Sequence, residues 1–232
     1  MYYPIYDSTW IIVLPAIILV MWAQYKVKST FYQYLQVPNR RGYTGAQVAR
    51  DILDRAGLHH VRVERISGEL TDHYDPRSEV VRLSPQVYDG CSLASLGVAA
   101  HETGHALQHA ENYVPLGFRN AIFPIANIGS RWGLPLALFG FIFFRSPDII
   151  LLGVLLYAGA VLFQIATLPV EFNASSRAMA ILESGGYLSQ DELKPTRKVL
   201  NAAALTYVAA ALAAIAQLIR LLALFGMSRR EE

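Results

Sequence analysis

Long runs without charged residues are the feature of this sequence that most constrains its fold. Three of them, Ser8–Tyr25, Ile149–Val170 and Val199–Ile219, contain no Asp, Glu, Lys or Arg, and each approaches the roughly 20 apolar residues that cross a bilayer as a helix. A fourth run, Trp132–Phe144, reaches a full span only if Arg131 is included. Charged residues make up 16% of the chain, against about 25% in soluble domains. The runs predict an α-helical membrane protein with about four transmembrane helices.

Basic residues are distributed unevenly between the two sides of such a chain. Eight of them flank the first, third and fourth spans on one side: Lys26, Lys28, Arg40, Arg41, Arg177, Lys194, Arg197 and Lys198. The opposite side receives Arg145 and the pair Arg229–Arg230. Because short loops rich in Lys and Arg stay in the cytoplasm, the side with eight basic residues is predicted to be cytoplasmic. A net charge of +2 with no long basic block predicts no nucleic-acid partner.

These patterns divide the chain into five segments. They are a first transmembrane helix over residues 8–25, a cytoplasmic catalytic region over 26–115, a transmembrane hairpin over 116–170 with helices at about 126–144 and 149–170, a cytoplasmic segment over 171–198, and a fourth transmembrane helix over 199–226. The lipid bilayer is therefore a predicted partner of the chain.

Residues 41–113 have the pattern of a small α+β unit. Thr44 and Gln47 have the spacing of a capping box at a helix start. Alternating polar and apolar residues predict a strand at Val61–Glu64, and Glu79–Leu83 is expected to form a second. Thr71–Pro76, rich in Asp and ended by proline, is predicted to be a turn. The stretch Ser92–Ala110 is predicted to be helical.

The chemistry of this unit is concentrated in the sequence His101-Glu102-Thr103-Gly104-His105. Residues four positions apart share one face of a helix, so both imidazoles can reach one Zn²⁺. Zinc lowers the pKa of a bound water toward about 7, and Glu102 can then accept its proton as the general base. Cys91 is the single cysteine, which excludes a zinc site built from cysteines. The competing interpretation is a helix with two surface histidines.

A catalytic zinc site also needs a third protein ligand. His109 lies about 12 Å along the same helix from His101, which is too far for the same ion. Glu171 is the predicted third ligand, on a helix that starts directly after a span, with small residues on its face. An even number of spans returns this residue to the side of the two histidines, whereas Glu111, Glu183 and Asp191 are weaker candidates. One Zn²⁺ per chain is expected.

Two further residues are candidates for contacts in the active-site cleft. His73 and Tyr74 follow Asp72 in the predicted turn and could stabilise a transition state. A polar turn without a catalytic role is the commoner meaning of such a stretch.

Over most of its length, the sequence resembles the YugP-type neutral zinc metallopeptidases of bacterial membranes. The motifs that carry the resemblance are Gly42–Ala46, Ala49–Leu53, Gly68–Arg77, Val81–Ser84, Val98–Glu102 and Glu171–Ser175. The resemblance implies a zincin-like catalytic domain and a zinc-dependent endopeptidase of the bacterial plasma membrane. It implies that His101, His105 and Glu171 bind the metal and that Glu102 is catalytic. In the more distant HtpX-type and CAAX-prenyl proteases an aspartate stands four residues after the glutamate, where this chain has Ser175.

The leading hypothesis is therefore a membrane metalloprotease that hydrolyses peptide bonds in protein or peptide substrates. One alternative is a non-enzymatic membrane scaffold that has kept the motif. Another is an intramembrane protease of the site-2 type, which needs the motif inside a span and an aspartate ligand in a second apolar segment. The uncharged run before His101 extends back only to Gly90, which argues against a span there.

Overall fold

The computed structural model describes residues 9–229, and they are mainly helical. Ser8 and Arg230, which entered the predictions above, lie outside the described residues. The helices are α1 Trp10–Leu35, α2 Gly45–Arg55, α3 Pro85–Tyr88, α4 Leu93–Ala110, α5 Val114–Ile128, α6 Leu134–Phe139, α7 Pro147–Ser184 and α8 Gln190–Ser228. The strands are β1 Arg62–Arg65, β2 His73–Asp75 and β3 Val80–Leu83.

Four helical segments of residues 9–229 are long and apolar enough to cross a membrane: Trp10–Leu35, Val114–Phe144, Pro147–Ser184 and Gln190–Ser228. All four segments extend well beyond the uncharged runs that predicted them. In particular, α7 continues from Val170 to Ser184 without a break. The prediction that Glu171 starts a new helix is therefore wrong, because nothing at Pro169 interrupts the helical backbone.

The segment Val114–Phe144 combines two kinds of helix. One π-helical turn, Gly129–Gly133, lies between α5 and α6, and a second, Gly140–Phe144, follows α6. Each turn begins at a glycine, and Gly129 lies so near α7 that a Cβ there would be 2.0 Å from the Leu156 carbonyl oxygen. The glycines let the two antiparallel helices approach closely, as small residues do in membrane helix pairs.

The chain forms two compact units, of which the first comprises the described parts of Met1–Ala23, Phe118–Leu168 and Tyr207–Glu232. Its core is a cluster of buried side chains, Ala137, Ile150, Val154, Leu221 and Leu224. Arg220 is 3% exposed within this unit, and its guanidinium lies 4.1 Å from the centre of the Trp10 ring. The guanidinium of Arg220 is therefore stabilised by the face of the Trp10 ring, and the side chain is not directed into solvent.

The second unit comprises Gln24–Gly117 and Pro169–Thr206 and contains the sheet, with strand order β1-β3-β2. β1 pairs with β3 in parallel, and β2 pairs with β3 antiparallel. The prediction of a turn at Thr71–Pro76 is wrong at His73–Asp75, because these residues form strand β2. This strand is stabilised by antiparallel pairing with β3, the next strand in the chain, and by the Asp75–Arg82 ion pair at 3.0 Å, neither of which is visible in the composition of Thr71–Pro76 itself.

Helix α4 lies at the centre of the second unit. Its buried residues belong to two apolar clusters: Leu93, Leu96 and Ala100 pack with α2, α7 and α8, whereas Ala94, Ala99 and Ala106 pack with the sheet side. The capping box predicted at Thr44 and Gln47 is confirmed, with both reciprocal bonds present at the start of α2. Burial on both sides leaves α4 little freedom to rotate, which positions its polar face.

Candidate metal centre

The two histidines of the motif lie next to each other on α4. The helix begins after Ser92, whose hydroxyl accepts the Ser95 N–H and so satisfies a donor that a helix start leaves unpaired. Regular helical geometry then brings the His101 and His105 rings to a centroid distance of 4.8 Å, nearly perpendicular to each other. Both rings are only partly buried.

Glu171 on α7 lies opposite this pair. Its Oε2 is 3.3 Å from His101 Nε2 and 3.5 Å from His105 Nε2, and the side chain is buried. The approach of α7 to α4 is close because Gly104 faces the backbone of Ala174, where a Cβ on Gly104 would lie 2.9 Å from the carbonyl oxygen. One ligand atom from each of the three residues lies within 4.8 Å of the other two.

This donor set fits zinc. Ligands at about 2.1 Å from a tetrahedral metal lie about 3.4 Å from one another, close to the two distances between Glu171 and the imidazoles. Two imidazole nitrogens and one carboxylate oxygen are ligands that zinc accepts, and three protein ligands leave a fourth position for water or substrate. The three side chains could therefore hold one ion without rearrangement of the backbone.

Glu171 and the two imidazoles shift one another's pKa values. Burial by itself raises the pKa of the Glu171 carboxyl, but hydrogen bonding and charge attraction from the two imidazoles outweigh it and lower that pKa below its ordinary value. Burial likewise lowers the pKa of His105, but Glu171 and Glu102 outweigh it and raise that pKa. The site thus keeps a carboxylate ionised in a buried position, the form that binds a cation.

Glu102 is buried next to the first histidine and has a second carboxyl nearby. It is 9% exposed, on the helix that carries both histidines. Burial raises the pKa of Asp72, and the charge of Glu102 raises it further. Asp72 is held in place by the Ser84 N–H at 2.7 Å and the Ser84 hydroxyl at 3.0 Å. Glu102 therefore lies in a partly closed acidic environment.

Two polar residues that the sequence did not single out as positioning groups contact the histidines. Ser175 Oγ lies 3.1 Å from His101 Nδ1, and Gln108 Oε1 lies 3.0 Å from His105 Nδ1. Gln108 could have been found from its spacing, since it lies three residues after His105 and thus on the same helix face. Ser175 stands one helical turn after Glu171, so the same rule applies to it.

The cleft candidates of the sequence analysis lie on β2, beside α4. The hydroxyl of Tyr74 is 2.8 Å from His109 Nδ1, and burial raises the pKa of Tyr74 to about 12. His73 Nδ1 is 2.8 Å from the Thr71 carbonyl oxygen. Tyr74 is thus joined to the helix that carries the motif, whereas the contact made by His73 is within its own segment.

The other acidic candidates for the third ligand have partners elsewhere. Glu111 forms an ion pair with Arg177 at 2.7 Å, and Glu183 accepts a hydrogen bond from Gln190 at 2.9 Å. Asp191 forms an ion pair with Arg40. All three are exposed, whereas Glu171 is buried beside the imidazoles.

Comparisons with known proteins agree on one family. Residues 9–226 match the family described as "Putative neutral zinc metallopeptidase". The protein named "Putative membrane protease YugP" from Bacillus subtilis (strain 168) is 51% identical over 213 residues, which cover 92% of this chain and 94% of the relative. No solved structure matches the chain.

Proposed function

Because the chain belongs to this neutral zinc metallopeptidase family, we propose that it is a membrane-bound, zinc-dependent endopeptidase. The metal ligands are His101, His105 and Glu171, and the general base is Glu102. The observation that carries the proposal is the convergence of the three ligand atoms from two helices within 4.8 Å, with a buried glutamate directly after the first histidine.

In the proposed reaction, the zinc ligands and Glu102 have separate roles. A zinc ion at the three ligands supplies a Lewis acid and a water of lowered pKa. Glu102 accepts a proton from the water that attacks the peptide carbonyl, and later delivers this proton to the amine nitrogen of the leaving peptide. Its burial favours this exchange, because bulk water competes less for the proton.

Tyr74 is the proposed contact for the substrate carbonyl. A phenol with a raised pKa keeps its proton at neutral pH, and a protonated hydroxyl can donate to an oxygen on which negative charge develops. Its hydrogen bond with His109 orients the hydroxyl from the side of α4, and the phenol proton is left for the substrate when the imidazole is the donor in that bond. His73 is the weaker candidate, because successive side chains of a strand point to opposite faces.

The sheet offers a place for an extended substrate. Among the described residues, β2 pairs with β3 on one side and has no strand on the other, and it lies against α4. An extended peptide can add to such an edge through main-chain hydrogen bonds. This mode of binding needs no free chain terminus, and it therefore supports an endopeptidase acting on protein or peptide substrates.

The proposal includes a zincin-like catalytic domain on the cytoplasmic side of a bacterial plasma membrane. A short sheet beside a helix that carries two histidines supports the first part. The basic residues that flank the spans support the second part. The Bacillus subtilis relative, which is named as a membrane protease, supports it as well. Within residues 9–229, α4 is not one of the four candidate spans, which disfavours an intramembrane protease.

The test compares metal content and proteolysis in the purified full-length protein. The wild type and Glu102→Gln should each contain about one zinc per chain. Only the wild type should cut internal bonds in a complex peptide mixture, with new termini identified by mass spectrometry. Loss of the base should slow cleavage by roughly 10²–10⁴-fold. Glu183→Gln, at an exposed glutamate, is the matched control and should cleave normally.

Three outcomes would contradict the proposal. A wild-type protein without stoichiometric metal would remove the zinc site. Undiminished cleavage by Glu102→Gln would remove the mechanism. A metal-loaded wild type without proteolytic activity would favour the scaffold.

A further inference from the structure

Gln108 is a polar side chain with no solvent exposure, in direct contact with a candidate metal ligand. A buried amide is costly unless its hydrogen-bonding groups find partners. The Oε1 atom lies 3.0 Å from His105 Nδ1, and the Nε2 atom donates to the Val170 carbonyl at 2.9 Å and to Asn173 Oδ1 at 2.9 Å. All three polar contacts are therefore made inside the protein.

These contacts determine which way the amide faces. The Val170 carbonyl can only accept a hydrogen bond, so the NH₂ group of Gln108 must face it and the oxygen must face His105. The Asn173 oxygen gives a second constraint. It also accepts from Arg177 Nε at 2.8 Å, and a guanidinium can only donate. The opposite orientation of Gln108 would set acceptors against acceptors at two places.

The amide in turn determines which nitrogen of His105 carries a proton. Because an amide oxygen can only accept, His105 Nδ1 must be the protonated nitrogen. In the neutral ring, the lone pair then lies on Nε2. Nε2 is the nitrogen that faces Glu171 at 3.5 Å, where a metal would bind. A backbone carbonyl on α7 thus sets the tautomer of a histidine on α4.

The other histidine lacks this constraint. Its Nδ1 contacts the Ser175 hydroxyl at 3.1 Å, and a hydroxyl can donate or accept. The Ser175 contact is therefore compatible with either neutral tautomer of His101. The two histidines of the motif differ in how strongly their surroundings prepare them for a metal.

We propose that Gln108 is a positioning residue of the zinc site, which fixes the metal-binding tautomer of His105 and joins it to the backbone next to Glu171. The inference rests on the proposed metal-binding function. The remainder of the network strengthens the connection, since Arg177, which holds Asn173, is itself paired with Glu111 at 2.7 Å. The same side chain therefore orients one ligand and ties together the helices that carry both.

The test measures zinc affinity of the full-length protein in detergent, by competition for Zn²⁺ with a chromophoric chelator. Gln108→Met keeps the size of the side chain and removes its polar atoms. It should weaken zinc binding about 10–100-fold, the usual effect of losing a partner of a metal-bound histidine. Gln217→Met, at a buried glutamine of α8, is the matched control and should bind zinc as the wild type does.

Gln108→Glu separates positioning from a purely structural role. Glutamate keeps an oxygen acceptor for His105 Nδ1 but replaces the donor to Val170 and Asn173. Its zinc affinity should therefore stay within a few-fold of the wild type, while its thermal unfolding temperature falls. A structural role alone predicts that affinity and stability fall together in both variants.

A measurement on the wild type covers the case in which the variants fail to fold. In zinc-loaded protein with ¹⁵N-labelled histidine, His105 should show a protonated, slowly exchanging Nδ1 and a metal-bound Nε2. Zinc on Nδ1, or a Gln108→Met variant with wild-type affinity, would overturn the inference and leave the proposed function standing. A wild type that binds no zinc would overturn both.

Discussion

At the scale of single residues, Glu171 is distinguished by its surroundings. Among the glutamates of residues 9–229, Glu171 is the one that lies buried with a carboxylate oxygen within 3.5 Å of both imidazoles. A buried carboxylate is unfavourable unless it is paired with positive charge. The two imidazoles hold the pKa of the Glu171 carboxyl below its ordinary value, so the carboxylate is ionised, the form that binds a divalent cation.

The first prediction compares two glutamates of α7. Glu171→Ala should reduce zinc affinity by more than the roughly 10–100-fold expected for an indirect partner of a ligand, because it removes a ligand itself. Proteolysis should be lost with the metal. Glu183→Ala, at an exposed residue bonded to Gln190, should retain both. Chelator competition and the peptide-cleavage assay check these outcomes, and the reverse result would assign the ligand to Glu183.

At the scale of secondary-structure elements, the site depends on the close contact of α4 with α7. Small buried residues line this contact, among them Gly104 and Ala174. Because the helices carry His105 and Glu171 next to this crossing, the separation of the helices sets the distance between these two proposed ligands. The contact thus has both a packing role and a chemical one.

The second prediction concerns a single added methyl group at this contact. Gly104→Ala places a Cβ 2.9 Å from the Ala174 carbonyl oxygen, so the backbones must separate. The protein should lose about 1–3 kcal/mol of stability, as overpacked sites do, and zinc affinity should fall. Thermal unfolding with and without zinc, together with chelator competition, measures both effects.

A matched substitution controls for helix propensity. At Gly117 of α5 an added Cβ meets nothing within 4 Å. Gly117→Ala should therefore leave zinc affinity unchanged and raise stability by up to about 1 kcal/mol, since alanine is the better helix former. Wild-type zinc binding by Gly104→Ala would show that the close contact does not control the site.

At the scale of the whole molecule, the number of spans governs which parts of the chain can share a site. Two candidate spans separate His105 from Glu171, one in Val114–Phe144 and one in α7. Two crossings return the chain to the side from which it started. Ligands of one ion must all lie within about 2.2 Å of it, so an odd number of crossings would be incompatible with the cluster.

The third prediction is the orientation of the chain in the membrane. In a background without Cys91, a membrane-impermeant maleimide added to intact cells should label Asp148→Cys, in the first turn of α7, and should not label Arg40→Cys. Both should react after permeabilisation, because both positions are exposed. The physical reason is the excess of basic residues around position 40, which disfavours export of that loop. Labelling of Arg40→Cys alone from outside would reverse the topology.

Much of the local structure follows from the sequence by itself. Uncharged runs predicted four spans, and four candidate spans occur in residues 9–229. The capping box of α2 and the helix that carries His101 and His105 were also expected from residue spacing. These features depend on neighbours within about one helical turn or on the length of an apolar run, and both can be seen in the linear chain.

Other features were decided only by the tertiary structure. β2 was expected to be a turn, because its residues favour turns and a strand of three residues is too short to show alternation, and its pairing with Val80–Leu83 makes it a strand. The carboxylate of Glu171 meets the imidazoles, and the amide of Gln108 meets Val170, because α4 and α7 pack within contact distance at Gly104. The sequence determined which side chains could bind a metal. The packing of distant helices decided which of them meet and how they are oriented, because these contacts join residues that no local periodicity relates.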